Sequence, residues 1–536
     1  MPPAILVRYQ FLFLAALTLL LVAPGIWEAT GITGKDEFFL GLRTPMEMMA
    51  SDHWLVPFLD AAPRIRKPPL LYWLGRGSFE LFGASLVSAR LVAVAFSALL
   101  VLATAGIGRR LTQDARAGLI AGCIVLGCLG LHTEGRRFML DVPVAALSAA
   151  AFWALLVGLE RRRWPWAALA AVLLAAGFLV KGPIVFLVFG GGVAGLFASG
   201  RVSLAEAGAG WRAWLPSVAL FAALALPWFV IVRLLYPEAA ALVFADEIES
   251  RRFFVFSPQI LLGLLNIALP WVFVFAVAAW QSRRAGGVPR LLLVWFLVTF
   301  VPFLFLRSFD RYLIGSLVPL AIFTAAMLPT LRARWPFRLG LIVALLLGGA
   351  LAVFAWRFHL GGWYWLLPAA AYLAWSWWRE RALTHTLAAP AVFALALLWG
   401  LFPALGVNAV PVEIVELTKT RTIAFYNGPQ PAMLPILTRQ AYRHYSHLTA
   451  ADAAELASRR TLVFAESNDA PALRAELAAL GCRADPAGTY SALASHGSGL
   501  RFARLGATAK DWRTAWESRR LDPLYTTVEW FEVAKL

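Results

Sequence analysis

Two acidic positions and one basic stretch carry residue types that could act on an anionic substrate. Asp36-Glu37 follows the first apolar run directly, and Asp141 closes HTEGRRFML and opens another. A carboxylate at such a place can act as a general base, orient a hydroxyl or hold a divalent cation, and it can also simply cap a helix. The stretch APRIRKPPLLYWLGRG, residues 62–77, sets Arg64, Arg66 and Lys67 before a Pro-Pro pair and adds Arg76. Proline is well suited to the first position of a helix, so Lys67 is expected beside free backbone N–H groups at a positive helix end, where phosphate binds readily. Leu70, Trp73 and Leu74, then Leu81 and Phe82, are spaced as on an interfacial helix. A phosphate held beside such a helix is most simply that of a lipid.

The elements that position these residues are membrane spans. The chain has 536 residues, of which 60% are hydrophobic and 15% charged, including 23 Trp and 37 Phe. That composition excludes an ordinary soluble domain and predicts an all-α polytopic membrane protein. Runs of roughly 17–25 apolar residues predict about thirteen transmembrane helices, near 9–27, 86–108, 117–132, 140–159, 165–180, 183–199, 214–235, 259–280, 290–306, 312–330, 339–356, 363–378 and 386–407. Alternating spans put Arg109 and Arg110, Arg161 to Arg163, Arg283 and Arg284, and Arg379 and Arg381 on one side, which the positive-inside bias makes the cytoplasm. The N-terminus is then inside. Residues 1–409 form the membrane domain, with a long outer loop at 28–85, and 410–536 form a small outer α/β domain. There TRTIAFYNG and RTLVFAES read as strands and APALRAELAALG as a helix.

The net charge of +17 suits anionic lipids and anionic substrates, and short basic clusters between apolar spans do not make a nucleic-acid face. Several cations fall on the outer side against the topology bias, among them Lys181, Arg251, Arg252, Arg307 and Arg311, and anion binding is the obvious reason to keep them there. Arg43, Arg76 and Arg90 also read as head-group partners, and Arg136 and Arg137 as holders of an anionic acceptor or as snorkelling residues. Neither the three cysteines nor His53, His132 and His359 have metal-ligand spacing. GGGVAG at 190–195 lacks the Lys-Ser/Thr of a phosphate loop.

Taken together, Asp36-Glu37, MASDHWLVPFLDAAPRIRKPPLLYWL at 49–74, RRFMLDVP at 136–143, GFLVKGP at 177–183, LPWFVIV at 226–232, FADEIESRRF at 244–253 and DRYLIGSLVPLAI at 310–322 form an ordered set. The set resembles the lipid A aminoarabinose transferases, membrane glycosyltransferases of the GT-C fold related to the protein O-mannosyltransferases. The resemblance implies transfer of a sugar from an undecaprenyl or other polyprenyl phosphate to a glycolipid or other acceptor. The transfer would occur at the periplasmic face of the inner membrane, by a monomer, with inversion at the anomeric carbon.

By the same resemblance Asp36, Asp141 and Glu37 are the acids of the reaction, Lys67 with Arg251 or Arg252 holds the carrier phosphate, and Lys181 and Tyr312 line the cavity. Arg64, Arg66 and Tyr72 complete the substrate-binding set. Two positions depart from the family pattern: Arg66 stands where some members carry a metal-linked Glu, and Phe39 where an Arg is common. The chemistry needs no cofactor, and dependence on a divalent metal stays open. The rival readings are a protein or glycan O-mannosyltransferase and a lipid-phosphate transporter or flippase. The second of these is disfavoured by the absence of symmetric halves and by the scarcity of mid-span charge.

Overall fold

The computed structural model describes residues 4–28, 36–209, 211–251, 254–331, 334–378, 391–428, 430–496 and 502–536. Among these, seven helices are long and apolar enough to cross a membrane, or eight if the bent pair Gln259–Ala268 and Val272–Gln281 counts as one span. That pair turns through 107° at Leu269-Pro270-Trp271, where proline cannot continue the helical hydrogen-bond ladder. Gln10–Val22 and Ala115–Leu126 are shorter apolar helices.

The longest single helix, Leu86–Thr112, starts where Ser85 and Ser88 cap each other reciprocally, each backbone N–H donating to the other's hydroxyl at 3.1 Å. Its 27 residues rise about 40 Å, enough to cross the hydrocarbon core with tilt. Asp141–Arg161 lies at the centre of the bundle and is buried along most of its length.

The apolar stretch Trp164–Ala198 is interrupted at Gly182–Ile184, where Gly182 takes φ +70°. Phe178 and Phe186 are eight residues apart, yet their ring centroids lie 5.8 Å from each other. A straight helix would separate them by about 12 Å, so the chain doubles back here and leaves Lys181 at the bend.

Near the C-terminus a five-stranded sheet has the order β4-β3-β5-β7-β6, with β3 at Ile423–Tyr426, β4 at Arg443–Tyr445, β5 at Leu462–Glu466, β6 at Cys482–Ala492 and β7 at Thr526–Lys535. A two-stranded ribbon, β1 at Phe58–Leu59 and β2 at Ala62–Pro63, lies in the first long loop. In the five-stranded sheet β3 runs parallel to β4 and β5, while β7 is antiparallel to β5 and β6. The expected strands and the expected helix, now Ala470–Ala479, are present. β6 and β7 were not anticipated, although β7 alternates buried and partly exposed residues over much of its length.

The sheet is tied to the first loop by buried polar contacts. Arg43 Nη2 binds Glu47 Oε1 at 3.0 Å and also meets Asp60, whose Oδ1 accepts the His444 N–H at 3.0 Å. Phe38, Leu42 and Phe138 form an apolar cluster with Ala432, Met433 and Ile436.

Candidate active site

Three segments distant in sequence converge on Asp36. The acid precedes a π-helical turn, Glu37–Leu42; Asp141 is the first residue of its helix; and Arg311 lies in the 3-10 segment Asp310–Ser316. Arg311 Nη2 donates to Asp36 Oδ2 at 3.0 Å, and Arg311 Nε faces Asp141 Oδ2 at 3.2 Å. Lys181, at the bend, pairs with Asp141 Oδ1 and sits 3.7 Å from the centroid of the Tyr312 ring. Asp141 is 4% exposed and Arg311 8%, whereas the Asp36 side chain is 27% exposed and faces a cavity of about 430 Å³.

Five cations line that cavity, Arg64, Arg66, Lys67, Arg307 and Arg311, against two carboxylates, Asp36 and Glu247. An apolar-walled pocket with this excess of positive charge favours an anionic guest. Tyr72 and Tyr312 are also in the lining. Lys67 lies just before the helix Leu70–Phe82, whose N-cap is Pro69. Its Nζ is 2.5 Å from Glu247 Oε1, Arg66 Nε is 3.3 Å from the same oxygen, and Arg66 also pairs with Asp246. Both acids come from the loop helix Pro237–Arg251, which packs through Ala239, Ala240 and Val243 against Val56, Ile65 and Trp228.

Of the residues singled out by sequence, Asp36, Arg64, Arg66, Lys67, Tyr72 and Tyr312 share the cavity wall. Asp141 and Lys181 stand behind it, lining with Tyr312 a void of about 10 Å³. Arg251 ends the loop helix; its side chain, Arg252 and the side chain of Phe39 lie outside the described residues.

Glu37 is placed differently. It is fully buried, both its oxygens are bound by Arg90 at 2.9 Å, and Oε1 also accepts the Phe138 N–H at 2.8 Å. Burial pushes the Glu37 carboxyl up, but the Arg90 guanidinium outweighs it and holds the group below the usual carboxylate range. Its geometry is that of a strut between the first loop and the Arg137-Phe138 segment. Glu37→Gln is therefore expected to cost about 2–3 kcal/mol of stability, by leaving part of a buried guanidinium unpaired. Because the folded pKa is lowered, this stabilisation is present above the ordinary value of 4.5 and is lost as pH falls through the folded value. Thermal unfolding of both proteins at pH 7 and near pH 4 checks it: the gap should narrow in acid.

Five further cations differ from the sequence reading. Arg43, Arg76 and Arg90 do not reach for head groups but are buried in ion pairs, Arg76 with Asp52 at 2.7 Å and Glu80 at 2.9 Å. Arg136 is spent on the carbonyls of His132 and Pro24, at 3.0 and 2.6 Å, and does not line the cavity. Its neighbour Arg137 pairs with Glu134 at 2.9 Å, also away from the lining. Protein groups in place of lipid head groups meet these cations.

Sequence reasoning missed Glu247 and the partners of Arg311. Arg311 was visible as an outer cation out of place and within DRYLIGSLVPLAI, with no partner or role assigned to it. Among the described residues no three His, Cys, Asp or Glu side chains gather as metal ligands. The position before Lys67 is itself a cation, Arg66, paired with Asp246 and Glu247.

The profile of the dolichyl-phosphate-mannose-protein mannosyltransferase family matches residues 66–231. The chain is 29% identical over 353 residues to undecaprenyl phosphate-alpha-4-amino-4-deoxy-L-arabinose arabinosyl transferase 1 of Sodalis glossinidius, covering 59% of this chain and 61% of that protein. It is 26% identical to the Aeromonas salmonicida enzyme of the same description, over 52% of this chain and 53% of the relative. The matches thus span less than two thirds of these relatives.

Among solved structures, ArnT from Cupriavidus metallidurans bound to undecaprenyl phosphate superposes with a TM-score of 0.70 at 18% identity, covering 97% of this chain and 98% of that one. The chain therefore shares its overall fold with that structure. The relatives matched in sequence are of the kind that the ordered motifs resemble.

Proposed function

We propose that this protein transfers a sugar from a polyprenyl-phosphate carrier to an acceptor at the outer face of the membrane. The observation that carries the reading is the cavity where a half-buried acid, Asp36, faces a wall of five cations beside the Lys-Pro-Pro helix start. The arabinosyl transferase relatives and the family match at 66–231 support the same chemistry. The leaving group would be a polyprenyl phosphate, already a stable anion, which needs cations and not a proton. Lys67, with Arg66 and Arg251 or Arg252, would neutralise the charge that builds as the anomeric bond breaks. Asp36 would orient the acceptor and take its proton if it is a hydroxyl. Attack opposite the leaving phosphate inverts the anomeric centre. Asp141, Lys181, Arg64, Tyr72 and Tyr312 would shape the site.

The proposal extends to topology. Counting Trp164–Ala198 as two crossings, the bent pair as one, and adding Gln10–Val22, Ala115–Leu126, Leu366–Trp378 and Ala391–Leu405 to the other long helices gives thirteen. With an odd number of crossings and the N-terminus inside, the region from 410 would lie outside, as a periplasmic domain over an inner-membrane domain. The donor class we propose is the undecaprenyl phosphate sugar, and the acceptor class a lipid A-like glycolipid. The second reading, an O-mannosyltransferase with a hydroxyl acceptor, is favoured by the family match at 66–231.

The test is incubation of the purified protein with polyprenyl-phosphate sugar and either a phosphorylated glycolipid or a hydroxyl-bearing peptide. Release of polyprenyl phosphate with the first supports the main reading, and release only with the second supports the alternative. Before the donor binds, Glu247 occupies Lys67 and Arg66. Partly exposed ion pairs are worth about 0.5–1 kcal/mol, so Glu247→Gln should tighten binding of polyprenyl phosphate about two- to fivefold. Weaker binding would mean that Glu247 helps to build the phosphate site.

A further inference from the structure

We infer that Arg311 is the positioning residue for Asp36, and that Asp141 and Lys181 act through it, so that the four side chains form one chain of alternating charge. The inference rests on the reading above, in which Asp36 meets the acceptor. Asp141 cannot meet it in this arrangement: it is 4% exposed, Oδ1 is taken by Lys181, Oδ2 faces Arg311, and the space beside it is the void of about 10 Å³. Asp36 differs, because among the described residues only Oδ2 is hydrogen-bonded, to Arg311, and the carboxylate lines the large cavity. Among the described residues Arg311 is thus the one group in contact with both acids.

Its chemistry suits that role. A guanidinium is planar, permanently charged and presents its donors in a fixed fork, so it sets two carboxylates at a defined separation in a way that an ammonium cannot. The rings of Phe309 and Tyr312, 4.7 and 5.9 Å from Arg311 Cζ, restrict its rotation. Lys181 then balances the second acid, so the four side chains pair two carboxylates with two cations, and Asp36 keeps Oδ1 without a hydrogen-bond partner among the described residues. The three segments that meet here, at 36, at 141 with 181, and at 311, have no reason in local structure to converge.

A small misplacement of a reacting group can cost about a hundredfold in rate. Arg311→Met should accordingly lower kcat roughly tenfold to a hundredfold while the KM for the polyprenyl-phosphate sugar stays close to wild type, and Arg311→Lys should recover part of the loss. Asp141→Asn should cost kcat in the wild-type background but little more in the Arg311→Met background, since neighbours acting through one group are not additive.

The experiment measures kcat and KM for wild type, Arg311→Lys, Arg311→Met, Asp141→Asn and the Arg311→Met/Asp141→Asn double variant, with thermal unfolding of each. Where Arg311→Met fails to fold, Arg311→Lys decides. A kcat loss at unchanged KM and unfolding temperature supports the inference, and a Lys variant with wild-type kcat overturns it. Equal effects of Asp141→Asn in both backgrounds, or losses that merely track unfolding temperature, also overturn it and leave a structural ion cluster. A wild-type protein that transfers no sugar overturns the functional reading and this inference together, whereas an active wild type with an unaffected Arg311→Met overturns the inference alone.

Discussion

Asp36→Asn is expected to reduce sugar transfer by roughly a hundredfold to ten-thousandfold, the range for loss of a positioned general base, while binding of polyprenyl phosphate stays near wild type. The expectation follows from the division of labour in the cavity. Asp36 lies on the wall with one oxygen held by Arg311 at 3.0 Å, whereas the phosphate cations Lys67 and Arg66 are engaged by a different acid, Glu247. Asparagine keeps a carbonyl that can accept from Arg311 but cannot take a proton. The size of the loss also reports the acceptor. A hydroxyl must surrender its proton during attack and should show the full effect, while an acceptor phosphate is already nucleophilic and needs only orientation. Turnover of a polyprenyl-phosphate sugar, measured beside carrier binding, separates these cases. Retained transfer would remove Asp36 from the reaction.

Lys67→Ala is the second large effect. It is expected to lower the transfer rate by about a hundredfold or more, as loss of a preorganised charge at a leaving group does, and to weaken carrier binding as well. Lys67 is three-quarters or more buried and stands just ahead of a proline-capped helix, so no solvent cation replaces it. In the free protein Glu247 would lose one partner and keep Arg66. The sign differs from that of Asp36→Asn in one respect, since here binding and rate fall together. A variant that binds the carrier normally and loses only rate would place the phosphate elsewhere along the cationic wall, nearer Arg64 or Arg307.

Much of this geometry was legible in the sequence because short linear patterns carry it. The Pro-Pro pair announced a helix start, and the cations before it came out on the cavity wall. The separate spans at 165–180 and 183–199 anticipated the reversal, which Gly182 makes with its positive φ. The ordered motifs also pointed to the right architecture. Pairings that join distant segments were not legible. Arg311 and Asp36 are separated by 275 residues, and the partner of Lys67 lies 180 residues away.

Burial was the other blind spot. Glu37 and Asp36 are neighbours with the same chemistry, yet the π-helical turn that begins at Glu37 aims one at Arg90 and leaves the other on the cavity. Arg43, Arg76, Arg90 and Arg136 read as membrane-facing cations because sequence shows their span ends but not the protein groups that meet them. The last two strands were missed for a related reason: without knowledge of the sheet, Thr526–Lys535 is a short alternating tail, and only its pairing with β5 and β6 makes it central.

The most direct test of the central claim is mass spectrometry of lipid and glycan extracts from cells that make the wild-type chain or, at equal level, the Asp36→Asn chain. The account predicts that one sugar-bearing product disappears in the variant and that the matching polyprenyl-phosphate sugar accumulates. Identical extracts from the two strains would contradict it, and would leave the cationic cavity as a passage or anchor for lipid phosphates in place of a site of transfer.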